Sequence, residues 1–197
     1  MRSQSTSDPA DAMRYGDAPG DDADETEPDP DSVARTICLN LLTAAPRSRG
    51  ELAKALRKRR VPDDVAERVL ERLTDVNLID DAAYAEAFVE SRHRGRGLAR
   101  TALRQELRRR GVDDAVAAAA VETIDADEEL AAAQALVARR LPTTSNLAPE
   151  ARLRRLTGML MRKGYPVGLA YRVVRTALAE ESEAVPDDAA TSEVLHR

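Results

Sequence analysis

The chain reads as an all-α protein built from three tandem three-helix repeats in an elongated, curved array, and three observations predict this. Aromatic residues are scarce, with one Phe, four Tyr and no Trp, although 43% of the 197 residues are hydrophobic. A core made of Leu, Val and Ala suits small helical units better than a thick sheet. The apolar residues recur at helical spacing. The pattern also repeats: a shift of 51 residues lays Leu52, Leu56, Val61, Val65, Leu70 and Leu73 on Leu103, Leu107, Val112, Val116, Val121 and Ile124. A further shift of 53 lays Leu103, Leu107, Gly111, Val112, Val116 and Val121 on Leu156, Leu160, Gly164, Tyr165, Leu169 and Val174. A unit of about 50 residues buries little on its own, and stacking covers its exposed apolar faces.

Residues 1–31 are rich in Asp, Pro, Ser and Gly without an apolar period, and are expected to form a disordered acidic tail. Repeat 1 is expected over 32–79. Asp31 or Ser32 can cap its first helix, whose apolar face carries Val33, Ile37, Leu41 and Leu42. Pro46 ends that helix, and Ser48 with Glu51 forms a capping box for the second, Gly50 to about Arg60. Pro62 stands at the start of the third, ahead of Val65, Val69, Leu70 and Leu73.

Repeat 2 is expected over 80–125. Asp80 and Asp81 can cap a helix through Tyr84, Ala87 and Phe88, and Asp113 opens an alanine-rich helix. Between them, Ala99, Ala102, Leu103 and Leu107 share one side of a helix while Arg100, Arg104 and Arg108 recur beside them at i, i+4 and i+8. Gly111 closes it and Arg108, Arg109 and Arg110 complement its C-terminal carbonyls. Because the apolar side is separate, reversing Arg100, Arg104 and Arg108 to Glu is expected to leave this helix folded. Repeat 3, over 126–180, runs through Leu141, breaks at Pro142 to Pro149 and resumes as 150–163 and 166–179; residues 181–197 are expected to be a second acidic tail.

The net charge of −5 conceals an uneven distribution. Residues 1–31 hold ten acids against two arginines and 181–197 hold five against one, so residues 32–180 carry 27 basic and 20 acidic groups, a net +7. A basic body suits a polyanion or an acidic protein surface. Neither a secretory signal nor 18 consecutive apolar residues is found, so a cytoplasmic protein outside the membrane is expected. A single cysteine, Cys38, beside Ile37, reads as a packed thiol.

No catalytic constellation, metal site or cofactor loop is expected. His93 and His196 are far apart and give no ligand spacing with Cys38. Gly95-Arg96-Gly97 lacks the strand and third glycine of a dinucleotide loop. The carboxylate pairs sit at helix starts, where capping explains them. Cations beyond the needs of helix ends are more informative: Arg92, His93, Arg94, Arg96, Arg100 and Arg104 run into the middle helix of repeat 2.

The segments SRGELAKALRKRRV, LIDDAAYAEAFVESRHRGRG and ALRQELRRRGV in tandem three-helix units resemble the RecX family of recombinase regulators over about residues 33–180. The middle segment, with Asp80-Asp81, Tyr84-Ala85 and Gly95-Arg96-Gly97, is the most specific; the third repeat, with Tyr165-Pro166, matches more loosely. The resemblance implies a non-enzymatic partner of the RecA recombinase that binds its nucleoprotein filament and inhibits ATP hydrolysis and strand exchange; a monomer is expected. The expected contacts are Arg92, Arg94, Arg96, Arg100, Arg104 and Arg108. The competing reading is a basic helical DNA-binding protein. The shortage of stacking aromatics argues against a dedicated single-strand site, and weak direct binding to duplex DNA stays open.

Overall fold

The structure is a computed structural model that describes residues 29–184. Most of the two expected acidic tails therefore lies outside the described residues. Among the latter there are nine α-helices, one 3₁₀ turn and no strand: α1 Pro30–Ala44, α2 Arg49–Lys58, α3 Asp63–Asp75, α4 Asp81–Arg96, α5 Arg100–Arg109, α6 Asp114–Val121, α7 Ala126–Arg140, α8 Pro149–Arg162 and α9 Val167–Ala184, with the 3₁₀ turn Leu141–Thr144 between α7 and α8. No helix among them is long and apolar enough to cross a membrane.

Local chemistry sets the helix boundaries. At α2 the Ser48 hydroxyl accepts from the Glu51 amide and the Glu51 carboxylate accepts from the Ser48 amide, the reciprocal box expected from the sequence. Asp125 and Glu128 form a second such box at α7. The cap of α1 differs from expectation. Pro30 fixes the first helical φ, so the cap falls on Asp29, whose carboxylate accepts from the amides of Asp31 and Ser32. Asp31 instead ties α1 to α3 through Arg68 at 2.8 Å and Arg72 at 3.5 Å.

Three separate cores follow the repeat. The first gathers Leu52, Leu56, Val65, Leu70 and Leu73 with the fully buried Cys38 thiol, which burial pushes above its ordinary pKa. The second gathers Leu103, Leu107, Val112, Val121 and Ile124. The third gathers Leu156, Leu160, Tyr165 and Val174. Extensive helix packing occurs within each trio, α1–α3, α4–α6 and α7–α9.

The trios meet end to end, and the two junctions use the same device. The last turn of α5 abuts the first turn of α2, and the last turn of α8 abuts the first turn of α5. At the first junction Ser48 Oγ donates to the Arg110 carbonyl at 2.6 Å and Lys54 Nζ to that of Arg109 at 2.7 Å. At the second, the Ala99 amide donates to the Lys163 carbonyl at 2.9 Å. Carbonyls left over at one helix end are thus satisfied by donors at the start of another. The backbones approach too closely for side chains. A Cβ on Gly111, at φ +83°, would lie 2.8 Å from the Gly50 Cα; one on Gly164, at φ +91°, would lie 2.6 Å from the Ala102 Cβ.

Candidate functional site

The six arginines marked out by the sequence fall into two groups. Arg92, Arg94 and Arg96 end α4, and Arg100, Arg104 and Arg108 line one side of α5. Leu103 and Leu107 are fully buried beneath α5, so its cationic side faces outward as the helical spacing requires.

The α5 arginines are largely engaged within the protein. Arg104 meets Asp114 through Nε at 3.1 Å and through a second nitrogen at 2.5 Å, and Arg108 reaches the same carboxylate at 3.4 Å. Hydrogen bonding from Arg104 holds the Asp114 carboxyl below its usual range and raises the Arg104 guanidinium in turn. Arg100 is more deeply committed. Glu129, only 5% exposed, accepts from the Arg100 amide at 3.0 Å and from its Nε at 3.2 Å. The equivalent contact at the first junction runs from the Arg49 amide to Asp81 at 2.8 Å. Arg49 and Arg100 are related by the 51-residue repeat, so an arginine at the start of each of these middle helices docks onto a carboxylate in the first turn of the next trio. Burial raises the Asp81 carboxyl, consistent with its place in the first junction.

This arrangement corrects the expectation that Arg100, Arg104 and Arg108 can be reversed together without structural cost. A Glu at 100 would face the buried Glu129 with no cation between them. Helix propensity alone could not disclose that partner, which lies 29 residues away.

The α4 arginines are differently placed. Arg94 pairs with Glu90 one turn back and remains 78% exposed. Arg92 lies over the Phe88 ring at 5.3 Å, on a ring that Arg110 also approaches at 4.9 Å. Arg110 continues to Glu51 at 2.6 Å and to the Tyr84 hydroxyl at 3.3 Å, making this aromatic pair part of the first junction. Arg96 is exposed, makes no ion pair with a described acid, and its carbonyl accepts from Lys163.

Sequence reasoning overlooked the surroundings of Arg96. The ends of α4, α7 and α8 bring Arg96, Arg139 and Arg140 each within electrostatic range of Lys163. Burial first, then repulsion from Arg139, Arg140 and Arg96, pulls the Lys163 ammonium below its ordinary pKa. Each residue alone resembles a helix-end cation; their convergence depends on the second junction. Next to them, Tyr165 is buried, donates to the Gly97 carbonyl at 3.2 Å, and has its hydroxyl pushed up to about 12 by burial.

An open groove of about 680 Å³ runs along α5 between Arg100, Arg104, Arg108, Glu122 and Glu129. Its mixed lining offers charge pairs to a macromolecular surface. The described residues contain no group of three or more His, Cys, Asp or Glu arranged to hold a metal. Fold and surface together define a helical-repeat protein presenting an extended, charge-patterned face.

The chain belongs to the RecX family. It matches the family models for the first RecX three-helix domain over residues 34–73, the second over 80–121 and the third over 127–174. It is 55% identical over 163 residues to the regulatory protein RecX of Streptomyces coelicolor, covering 82% of this chain and 87% of that one. It is also 55% identical over 148 residues to the protein of the same description from Thermobifida fusca, covering 75% and 80% of the two chains. The crystal structure of RecX from Lactobacillus salivarius shares the fold, with a TM-score of 0.67 at 21% identity, over 78% of this chain and 97% of that one.

Proposed function

We propose that this chain is a non-enzymatic, cytoplasmic regulator that binds the RecA recombinase or its DNA filament and inhibits ATP hydrolysis and strand exchange, thereby modulating DNA repair and recombination. The observation that carries this reading is the match of all three trios, in order, to the three RecX domains, together with relatives described as regulatory proteins. The cationic face supports it physically, because a filament wrapped on DNA presents repeating acidic surface to an extended partner.

Within this reading Arg92, Arg94, Arg96, Arg104 and Arg108 supply contacts, since their side chains reach solvent even where one partner is present. Arg100 contributes indirectly by holding α5 on Glu129. A monomer suffices, as one chain carries all three units.

DNA-dependent ATP hydrolysis by RecA, measured with and without the protein, tests the proposal. Inhibition is expected at protein concentrations where binding to bare DNA is slight. Equal affinity for bare DNA and for the filament would favour the basic DNA-binding reading instead, and unaltered hydrolysis at saturating protein would overturn the regulatory one.

A further inference from the structure

Five surface concavities among the described residues differ in the charges that line them. Four contain carboxylates: Glu122 and Glu129 along α5, Asp29 and Asp31 beside α1, Glu86, Glu90 and Glu128 beside α4, and Glu180 and Glu183 on α9. The fifth has none. It lies between the end of α7, the 3₁₀ turn and α8, and is lined by Arg140, Arg155 and Arg162 with Thr143, Thr144, Leu156 and Met159.

We infer that this concavity is a phosphate-oxyanion site, with Arg140, Arg155 and Arg162 as its charged ligands. None of the three makes an ion pair with a described acid, whereas the α5 arginines do. Like charges gathered around a hollow repel one another until an anion enters. Arg155 and Arg162 lie two turns apart on α8, and Arg140 comes from a different helix. Guanidinium groups approaching from two elements suit a tetrahedral anion with several acceptor oxygens better than a flat carboxylate with two. The buried Leu156 forms an apolar floor, and because the Thr143 and Thr144 hydroxyls donate to the Arg140 and Leu141 carbonyls, the guanidinium groups are the donors left for an anion. The volume, about 190 Å³, is roughly that of six waters, enough for one hydrated anion and too little for a folded segment.

The ligand can be a free phosphate group or one phosphodiester of a nucleic-acid strand. The neighbouring Arg139, Lys163 and Arg96 extend the positive field beyond the hollow and favour the strand. The inference is independent of the recombinase reading, because it concerns the bare ligand.

The test uses the full chain, with inorganic phosphate and a twelve-nucleotide oligo-deoxythymidine as probes. Titration with phosphate, followed by NMR, should shift the amides of Arg140, Leu141, Thr143 and Thr144 and the Nε–H signals of Arg155 and Arg162. R155Q/R162Q should lose the phosphate-induced shifts of the Arg140, Leu141, Thr143 and Thr144 amides and bind the oligonucleotide about tenfold more weakly. The slope of log affinity against log salt should become shallower by about 0.7, the value for one lost single-strand phosphate contact. R57Q/K58Q, which removes equal charge from the exposed end of α2, should change affinity less than about twofold. Loss of the phosphate shifts with oligonucleotide affinity intact would support the site and assign it to a free phosphate group. Equal weakening by the two double variants, or equal competition by a twelve-residue poly-glutamate, would overturn the inference. So would wild-type phosphate shifts spread evenly over all arginines, a result that needs no variant to fold.

Discussion

Two arginine-rich regions of this molecule look alike in sequence and differ in the fold. Along α5, Arg100, Arg104 and Arg108 each meet a carboxylate, on Glu129, Glu122 or Asp114. Where α4, α7 and α8 end together, Arg96, Arg139 and Arg140 surround Lys163 without an ion-pair partner among the described residues. The first region uses cations to join units and steady a helix. The second holds cations that no described carboxylate pairs with. A regular helical stripe of arginine therefore shows where charge is placed, and its partners decide whether that charge remains available.

This contrast is tested first through the stability of α5. Leu103→Ala should destabilise by about 2–5 kcal/mol in thermal or denaturant unfolding, since it empties a fully buried site beneath the paired arginines. Partial collapse of alanine neighbours would bring the value to the lower end. Glu129→Ala should follow at about 1–3 kcal/mol, because it strands the Arg100 amide at the junction while leaving the half-exposed guanidinium some access to water. An unfolding curve matching the wild type would mean that the buried carboxylate does not secure the second junction.

The next test concerns binding. R104E/R108E, chosen because it spares Arg100, should keep its helix content while placing two carboxylates beside Asp114. A modest loss of thermal stability with a several-fold loss of filament inhibition is expected. Full inhibition by the folded variant would move the contact surface off α5 and toward the unpaired region.

The three-unit fold was largely legible because its signals are local. Periodicity located Leu52, Leu103 and Leu156 at equivalent core positions, and the capping grammar located Ser48 and Asp113. The surface was less legible because its chemistry depends on residues distant in sequence. Arg100 joins Glu129 across 29 residues, and Lys163 donates to the Arg96 carbonyl across 67. One clue was available: Arg49 and Arg100 occupy equivalent positions in the repeat, each followed by an acid in the first turn of the next unit. Asp31 illustrates the opposite error. Residue type alone allows a cap at Asp31 or Ser32, and Pro30 moves that role to Asp29.

Acid titration should separate the carboxylates of the junctions from those on the surface. Asp114 has a folded pKa below 3.8, so its contribution to stability is present above the unfolded value and is lost as pH falls through the lowered folded value. Asp81 is raised, so its burial favours the folded state at low pH, and that contribution disappears as pH rises from 3.8 through the folded value. Carboxyl-carbon NMR should find the two midpoints on opposite sides of 3.8; coincident midpoints would remove the distinction between them.

The smallest effect is the sharpest test of the unpaired region. In R139Q/R140Q two of the charges that depress Lys163 are gone, so its pKa should rise toward 10.5 and stop short of it, because burial, the leading cause of the depression, persists. The linkage has a definite sign. A lysine whose folded pKa lies below its unfolded value disfavours folding while charged, and stability recovers as pH increases through the folded value toward 10.5. Because the raised Tyr165 hydroxyl withdraws stability as pH climbs above 10 in both proteins, the readout is the difference: over that alkaline interval the melting temperature of the wild type should rise relative to that of the variant, which should melt no lower at neutral pH. A drop in melting temperature at neutral pH would show that Arg139 and Arg140 are structural, as the α5 arginines are, and the two regions would then differ in degree alone.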